Sequence, residues 1–275
     1  MSQPYISVII PTYNRQLQLA ECLESIYRQH DDALQIIIVN DCGESIARIG
    51  DLYPELDITI VDLQHNSKHV VARNRGLEEV QADLIMLCDD DDVLLPGHIE
   101  RMRDAITDAD LVYTDAEIVD YVIKDQERVP IHRRLFAYDD DVAGMRKFST
   151  FIASGCLFRK QLLSDIGNFD IDVRNYWDWD FYLRAVKRHR VRRVPVASVL
   201  YAFSAQGGNM SSQLDQMRTY LDRLSIKHQL GELPTKNFYL LLDEPEIKQR
   251  EAVSQIIWDF TSMRSRLPGL DHATV

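Results

Sequence analysis

Leu84-Ile85-Met86-Leu87-Cys88-Asp89-Asp90-Asp91-Asp92 is the stretch that decides how this chain reads. Five apolar residues in an unbroken run fit a buried strand, and the run stops on four carboxylates. In a doubly wound α/β sheet, ligands gather beyond the carboxyl ends of the strands. Neighbouring like charges raise one another's pKa unless a positive group sits among them. An acidic knot at such a strand end suits a hard divalent cation, Mg²⁺ or Mn²⁺, held by one or two carboxylates together with substrate phosphates. The same residues also read as a solvated acidic turn ahead of a helix at Pro96. Taken alone, they leave both readings open.

Outward from this point the pattern is one of strands alternating with helices. Residues 5–10 form a β-branched apolar run that ends at Pro11, and residues 36–39 end in the turn signature Asn40-Asp41-Cys42-Gly43. Residues 58–63 make a third strand. Leu17, Ala20, Leu23, Ile26 and Tyr27 recur at helical spacing, and residues 70–80 form a second helix. This alternation predicts βαβ units and a mainly parallel, Rossmann-like sheet flanked by helices. Residues 1–100 thus read as a nucleotide-binding half. The run Ala72-Arg73-Asn74-Arg75-Gly76 falls at a helix start, where basic groups and backbone N–H donors meet a phosphate.

Beyond the aspartates the sequence predicts a helix over 96–106, strands over 111–114 and 116–123, and a polar, irregular segment over 124–147 of the kind that covers a substrate. A strand over 151–158 containing Gly155, a helix over 178–187 and a strand over 194–203 complete an acceptor half, residues 101–215. The basic run 187–193 reads mainly as a helix C-terminus, with a contact to an anionic acceptor as the second reading. Residues 216–275 read as a mostly helical extension packed on the same domain, with Val253, Ile256, Ile257, Phe260 and Met263 as one apolar stripe. No internal repeat or low-complexity linker is seen, which favours one compact domain.

A chain of 275 residues can bury a full core. The formal net charge of −12 argues against a nucleic-acid partner and against adhesion to anionic membranes. Cys22, Cys42, Cys88 and Cys156 form no CxxC pair, so neither a zinc site nor a disulfide framework is expected, and a reducing cytoplasm is the simplest setting. No signal-peptide pattern is read at the N-terminus, and no stretch has the ~18 apolar residues a membrane span needs; a soluble protein is expected. Neither GxGxxG nor GxxxxGK[ST] occurs, which excludes the dinucleotide and Walker phosphate loops.

Five pieces in order carry a resemblance: Ile6-Ser7-Val8-Ile9-Ile10-Pro11-Thr12-Tyr13-Asn14-Arg15; Val39-Asn40-Asp41; Ala72-Arg73-Asn74-Arg75-Gly76; Leu87-Cys88-Asp89-Asp90-Asp91-Asp92 with Leu95-Pro96-Gly97; and Trp177-Asp178-Trp179-Asp180. Together they resemble family 2 glycosyltransferases of the GT-A fold over about residues 5–215. The resemblance implies a hexosyltransferase-type enzyme that takes a nucleoside diphosphate sugar, UDP- or dTDP-linked, and transfers the sugar with inversion to a glycan, lipid-linked or protein-linked acceptor, in an assembly that is monomeric or oligomeric. It implies Pro11 and Tyr13 against the base, Asp41 accepting from the base imide N–H, Arg73 near base and diphosphate, and Asp90 toward the ribose. Asp89 and Asp91 match the metal-binding DxD element for Mn²⁺ or Mg²⁺. Asp178 matches the catalytic base, with Asp170, Asp172 and Asp180 in reserve.

Chemistry agrees with these roles. A cation on the phosphate oxygens stabilises the charge that builds as the glycosidic bond opens, and a carboxylate base contributes ~10²–10⁴-fold by accepting the acceptor hydroxyl's proton. Flanking Trp177 and Trp179 would desolvate Asp178 and raise its pKa, and either indole also suits a sugar platform. The chain departs from the family pattern at Trp177, where a Glu is common, at Asn40, where an Asp is common, and at Gln206, where a His often contacts the metal or phosphate. Two other readings fit these departures and the fold: a nucleotide-sugar-binding homologue with impaired catalysis, and a sugar nucleotidyltransferase. His69, His98, His132, His189 and His228 show no ligand spacing and read as surface or packing residues.

Overall fold

The computed structural model describes residues 6–125, 127–203, 214–235 and 238–267. Its first half runs β1 (Ile6–Thr12), α1 (Gln16–Tyr27), β2 (Leu34–Asn40), α2 (Ala47–Asp51), β3 (Asp57–Asp62), α3 (His69–Glu78) and β4 (Leu84–Leu87). The strands lie in the order β3-β2-β1-β4, all parallel. β1, β2 and β4 are buried along their whole lengths, which is why they read as unbroken apolar runs: parallel strands are covered on both faces. Alternate residues feed two separate cores. Val8, Ile36 and Met86 enter one, while Ile9, Ile37 and Ile85 enter the other.

The chain goes from β1 to β2 on one side and reaches β4 on the other, so the strand order reverses between β1 and β4 and opens a crevice there. Pairing of β1 with β4 stops at Ile9↔Leu87, while pairing with β2 continues to Thr12↔Asn40. Pro11 stands where β4 has already left, so its missing N–H deprives no ladder of a bond. Gly76 lets α3 lie close on the sheet: a Cβ there would meet Ile9 Cγ2 at 2.6 Å.

The second half runs β5 (Val93–Leu94), α4 (His98–Ala105), β6 (Leu111–Lys124), β7 (Glu127–Phe136), α5 (Val142–Met145), β8 (Leu157–Arg159), α6 (Gln161–Ile166), a 3₁₀ segment (Ile171–Tyr176), α7 (Trp177–Ala185), β9 (Val191–Ala202), α8 (Leu214–His228), α9 (Phe238–Leu241), α10 (Pro245–Lys248) and β10 (Gln255–Ile256). Here the sheet becomes mixed. β8 is antiparallel to β4 and β6, β6 and β9 are parallel, and β7 and β5 add antiparallel partners to β6 and β9. Among the described residues no helix is long and apolar enough to cross a membrane.

Five expectations change. The predicted strands 111–114 and 116–123 are one strand, β6, whose register against β9 shifts on either side of Asp115. The segment 124–147 is not irregular throughout, for it contains β7, paired with β6 as a hairpin. Its polar look comes from arginines that find partners within the fold: Arg128 with Glu21, Arg133 with Glu117 and Arg134 with Asp243. Pro130 borders the hairpin's bulge, where Ile131 is the extra residue between the Asp120↔His132 and Tyr121↔Pro130 pairs. Over 151–158 only the end is strand. Gly155 has φ +78° and lies so close to Val199 and His98 that a Cβ would collide with both.

Among the described residues beyond Lys248 there is no α-helix, so the apolar stripe of a helix does not form. Ala252 N–H bonds to Ala137 O, Arg193 Nη2 to Val253 O, and β10 pairs with β9. Val253 is left 91% exposed, while Trp258 is buried. Of the basic run, residues 191–193 open β9, and Arg193 clamps Asp115 through two bonds of 2.7 Å.

Candidate active site

A cleft of about 1640 Å³ opens at the carboxyl ends of β1, β2 and β4. Pro11, Tyr13, Asp41 and Arg73 line it from the first half, as do the carboxylates of Asp89, Asp90 and Asp91, and Asp178 reaches it from α7. Pro11, Tyr13, Asp41, Arg73, Asp89, Asp90, Asp91 and Asp178 therefore meet in one place. Asp170, Asp172 and Asp180, the reserve bases, do not line it.

Arginines supply the positive charge that four adjacent carboxylates require. Arg15, at the start of α1, bonds to Asp90 Oδ1 at 3.1 Å and Asp91 Oδ2 at 2.7 Å, and Thr12 Oγ1 donates to Asp90 Oδ2 at 2.7 Å. Arg73 pairs with Asp89 Oδ1. Asp90 is almost fully buried; burial and then the charge of Asp91 push its carboxyl up to about 7, against the pull of Arg15 and Thr12. Asp91 is raised by burial too. Asp92 faces inward: its Oδ1 accepts from Ala202 N–H at 2.9 Å, and burial raises it well above the usual carboxylate range.

Asp89 Oδ2 and Asp91 Oδ1 have no protein partner among the described residues, and both side chains are partly open to the cleft. No cluster of three His, Cys, Asp or Glu ligands occurs among the described residues. Two free carboxylate oxygens beside a cleft fit the donor set of Mg²⁺ or Mn²⁺ bound through one or two carboxylates plus phosphates.

Asp178 is the second residue of α7, and its Oδ1 accepts from Trp179 N–H at 2.8 Å. Burial pushes it up to about 6, opposed by that hydrogen bond and by Arg73. The flanking tryptophans are buried anchors that also line the cleft. Arg73 lies 4.2 Å over the Trp177 ring, and Trp179 Nε1 donates to Met145 O at 2.6 Å. Burial tends to raise Asp180, but a hydrogen bond from His228 and the charges of Arg184 and Lys227 bring it down to about 2; it ties α7 to α8.

Asp41 has a structural duty that its motif did not announce. Its two carboxylate oxygens accept from the backbone N–H groups of Ser67 and Lys68, at 2.6 and 2.7 Å, and so fix the approach to α3. Arg73 itself lies inside α3, which begins at His69, so residues 72–76 offer the cleft a side chain and not a free helix N-terminus. Asn74 exchanges two hydrogen bonds with the backbone of Phe169, and Arg75 pairs with Glu78. Tyr13 is 48% exposed at the cleft. Gln206 and the rest of residues 204–213 lie outside the described residues.

Thr12, Arg15 and His69 also belong to this site. Arg15 was legible in principle, because four carboxylates need counter-charge and it stands just past the neighbouring strand end. His69 lines the cleft with Nε2 3.1 Å from Arg174 O, and burial brings its pKa down to about 3, so it is neutral there.

The sequence model of glycosyl transferase family 2 matches residues 7–167, and this chain belongs to that family. An uncharacterized glycosyltransferase, YwdF, of Bacillus subtilis strain 168 is 57% identical over 263 residues, 95% of this chain and 98% of that protein. TarS of S. aureus, solved with UDP-GlcNAc, superimposes with a TM-score of 0.62 at 18% identity over 81% of this chain and 66% of TarS 1–349. A mannosyltransferase of Pyrobaculum calidifontis, solved with GDP-Man and Mn²⁺, gives 0.61 at 18% identity over 85% of this chain and 67% of its own. The protein is a family 2 glycosyltransferase with a GT-A-like α/β fold.

Proposed function

We propose that the cleft transfers a sugar, with inversion, from a UDP- or dTDP-linked donor to an acceptor hydroxyl, with Asp178 as general base and Mn²⁺ or Mg²⁺ at Asp89 and Asp91. One observation carries this reading: a half-buried carboxylate and two carboxylate oxygens without partners among the described residues share a cleft with Pro11, Tyr13 and Asp41 at the strand ends. When bound, the cation would offset negative charge developing on the diphosphate leaving group.

The protein's own groups do the rest. Asp178 takes the acceptor proton as the new bond forms. A base that titrates near 6 is ionised at neutral pH yet stronger than an ordinary aspartate. Arg73, held over the Trp177 ring, adds fixed positive charge beside Asp89. Pro11 and Tyr13 flank the base. The Asp41 carboxylate, already oriented by Ser67 and Lys68, keeps lone pairs for an imide N–H. A role for Asp90 toward the ribose belongs to the same reading.

The test is a panel of nucleoside diphosphate sugars with and without Mn²⁺, followed as release of nucleoside diphosphate. Metal-dependent release from the wild type, lost in Asp178→Asn with donor affinity kept, is the expected result. No release from any donor would favour an impaired binding homologue, and pyrophosphate formed from a sugar 1-phosphate and a nucleoside triphosphate would favour a nucleotidyltransferase.

A further inference from the structure

Arg128 belongs to no motif and does not line the cleft, yet it reaches the acidic turn from β7. Its side chain is only 5% exposed. Nε donates to Glu21 Oε2 on α1, a residue 107 positions away. Nη1 donates to the backbone carbonyl of Asp91 at 2.8 Å, and the guanidinium lies 4.6 Å over the ring of Tyr121 on β6. One side chain thus joins α1, the hairpin and the acidic turn.

Other side chains hold the turn mainly through its carboxylates: Thr12 and Arg15 bind Asp90, Arg73 binds Asp89 and Ala202 N–H donates to Asp92, while Asp89 N–H donates to Ser154 Oγ at 2.9 Å. Asp92 N–H bonds to Asp89 O at 3.2 Å, and Leu94 N–H bonds to Ser25 Oγ at 3.1 Å. Arg15 also holds Asp91, but Arg15 is 41% exposed and is screened by water. A charge-assisted bond from a buried guanidinium is the stronger restraint. Only arginine suits this position: its planar fork serves two acceptors in fixed directions, whereas a lysine ammonium is a point charge.

We propose that Arg128 is a positioning residue, which fixes the backbone at Asp91 so that this carboxylate meets the donor diphosphate and its cation already in place. The functional half of this statement rests on the reading of the cleft given above; the structural half does not. A site that must hold a cation gains most when its ligands need no rearrangement on binding.

Amide hydrogen exchange, measured by mass spectrometry on the metal-free protein, tests the clamp directly. Arg128→Lys is expected to speed exchange of the peptide covering residues 88–95 by about tenfold, the loss of one charge-assisted bond, while the peptide covering β1 stays as in the wild type. Glu21→Gln leaves the bond to Asp91 in place and is expected to change the 88–95 peptide by less than about threefold. No acceleration in Arg128→Lys, or equal acceleration in both variants, would overturn the proposal. If Arg128→Lys does not fold, the double variant Glu21→Gln, Arg128→Gln replaces it, because removing both charges of a buried pair is better tolerated than removing one.

The functional half is read by electron paramagnetic resonance of Mn²⁺ titrated in the presence of UDP. Half-saturation is expected to rise about tenfold in Arg128→Lys, and an unchanged value beside accelerated exchange would reduce the clamp to a structural tie. A wild type that takes up no Mn²⁺ would overturn the reading of the cleft, while the exchange experiment still decides the clamp.

Discussion

The sheet has two unlike halves. β1, β2 and β4 are parallel, apolar and buried on both faces, with β3 as a partly exposed parallel edge strand, so the buried strands end where the apolar runs stop. From β6 onward the strands are mixed in direction, and the three long ones, β6, β7 and β9, are partly polar. They are held by arginine pairs such as Arg193 with Asp115 and Arg133 with Glu117. The first half supplies a rigid ledge of site residues through local sequence. The second half contributes Asp178 and Arg128 through contacts between residues far apart in the chain. Precision at the cleft comes from the ledge, and the closing of its other wall comes from the long-range pairs.

The comparison breaks most sharply at Asp178. Asp178→Asn should lower sugar transfer by ~10²–10⁴-fold, measured as nucleoside diphosphate release at saturating donor, because the proposed general base is lost. In the wild type the same rate should fall about tenfold per pH unit below about 6, where burial places this carboxyl. A flat profile between about pH 5 and 7 would remove Asp178 from that role.

The ledge should be intolerant of added volume. Gly76→Ala puts a Cβ 2.6 Å from Ile9 Cγ2, between α3 and β1. A loss of about 1–3 kcal/mol in denaturant unfolding is expected, since close-packed parallel layers cannot yield locally. An unchanged midpoint would show that α3 slides freely on the sheet.

A smaller effect, of opposite sign, separates function from stability at Asp178. Its folded pKa lies above the unfolded value. Below about pH 4 the carboxyl is protonated in both states, and stability falls as pH rises through about 6, because the folded state then has to ionise a half-buried acid. Asp178→Asn removes that cost. It should match the wild type near pH 4 and exceed it above pH 7 by on the order of 1–2 kcal/mol, allowing for its partial contact with solvent. Destabilisation at both pH values would mean that Asp178 supports the fold instead of straining it. Smallest of all, Val253→Ser in the exposed stretch before β10 should change stability by less than about 0.5 kcal/mol, which thermal melts can check.

How much was legible follows from the same contrast. Pro11, Asp41 and the aspartates could be placed because a parallel strand announces its own end. Asp178 was found through its motif, while its raised pKa depended on tertiary burial between α7 and the sheet. Residues 127–136 were hidden because β7 earns its place by pairing with β6 and by burying Arg128, neither of which leaves a local hydrophobic period. The stretch 253–263 misled for the opposite reason. Its apolar residues fit a helical spacing, but residues 255–256 found a strand partner in β9, and Ala252 just before the stretch is tied to Ala137.

The sequence by itself determined the βαβ half, the family and the set of carboxylates, because continuous apolar runs and the groups at their ends are local properties of the chain. Only the tertiary structure decided which carboxylates are compensated and which keep an open oxygen. Charges separated by dozens of residues become neighbours only when the sheet closes, and at that distance in sequence no spacing rule connects Arg15 or Arg128 to the aspartates they hold.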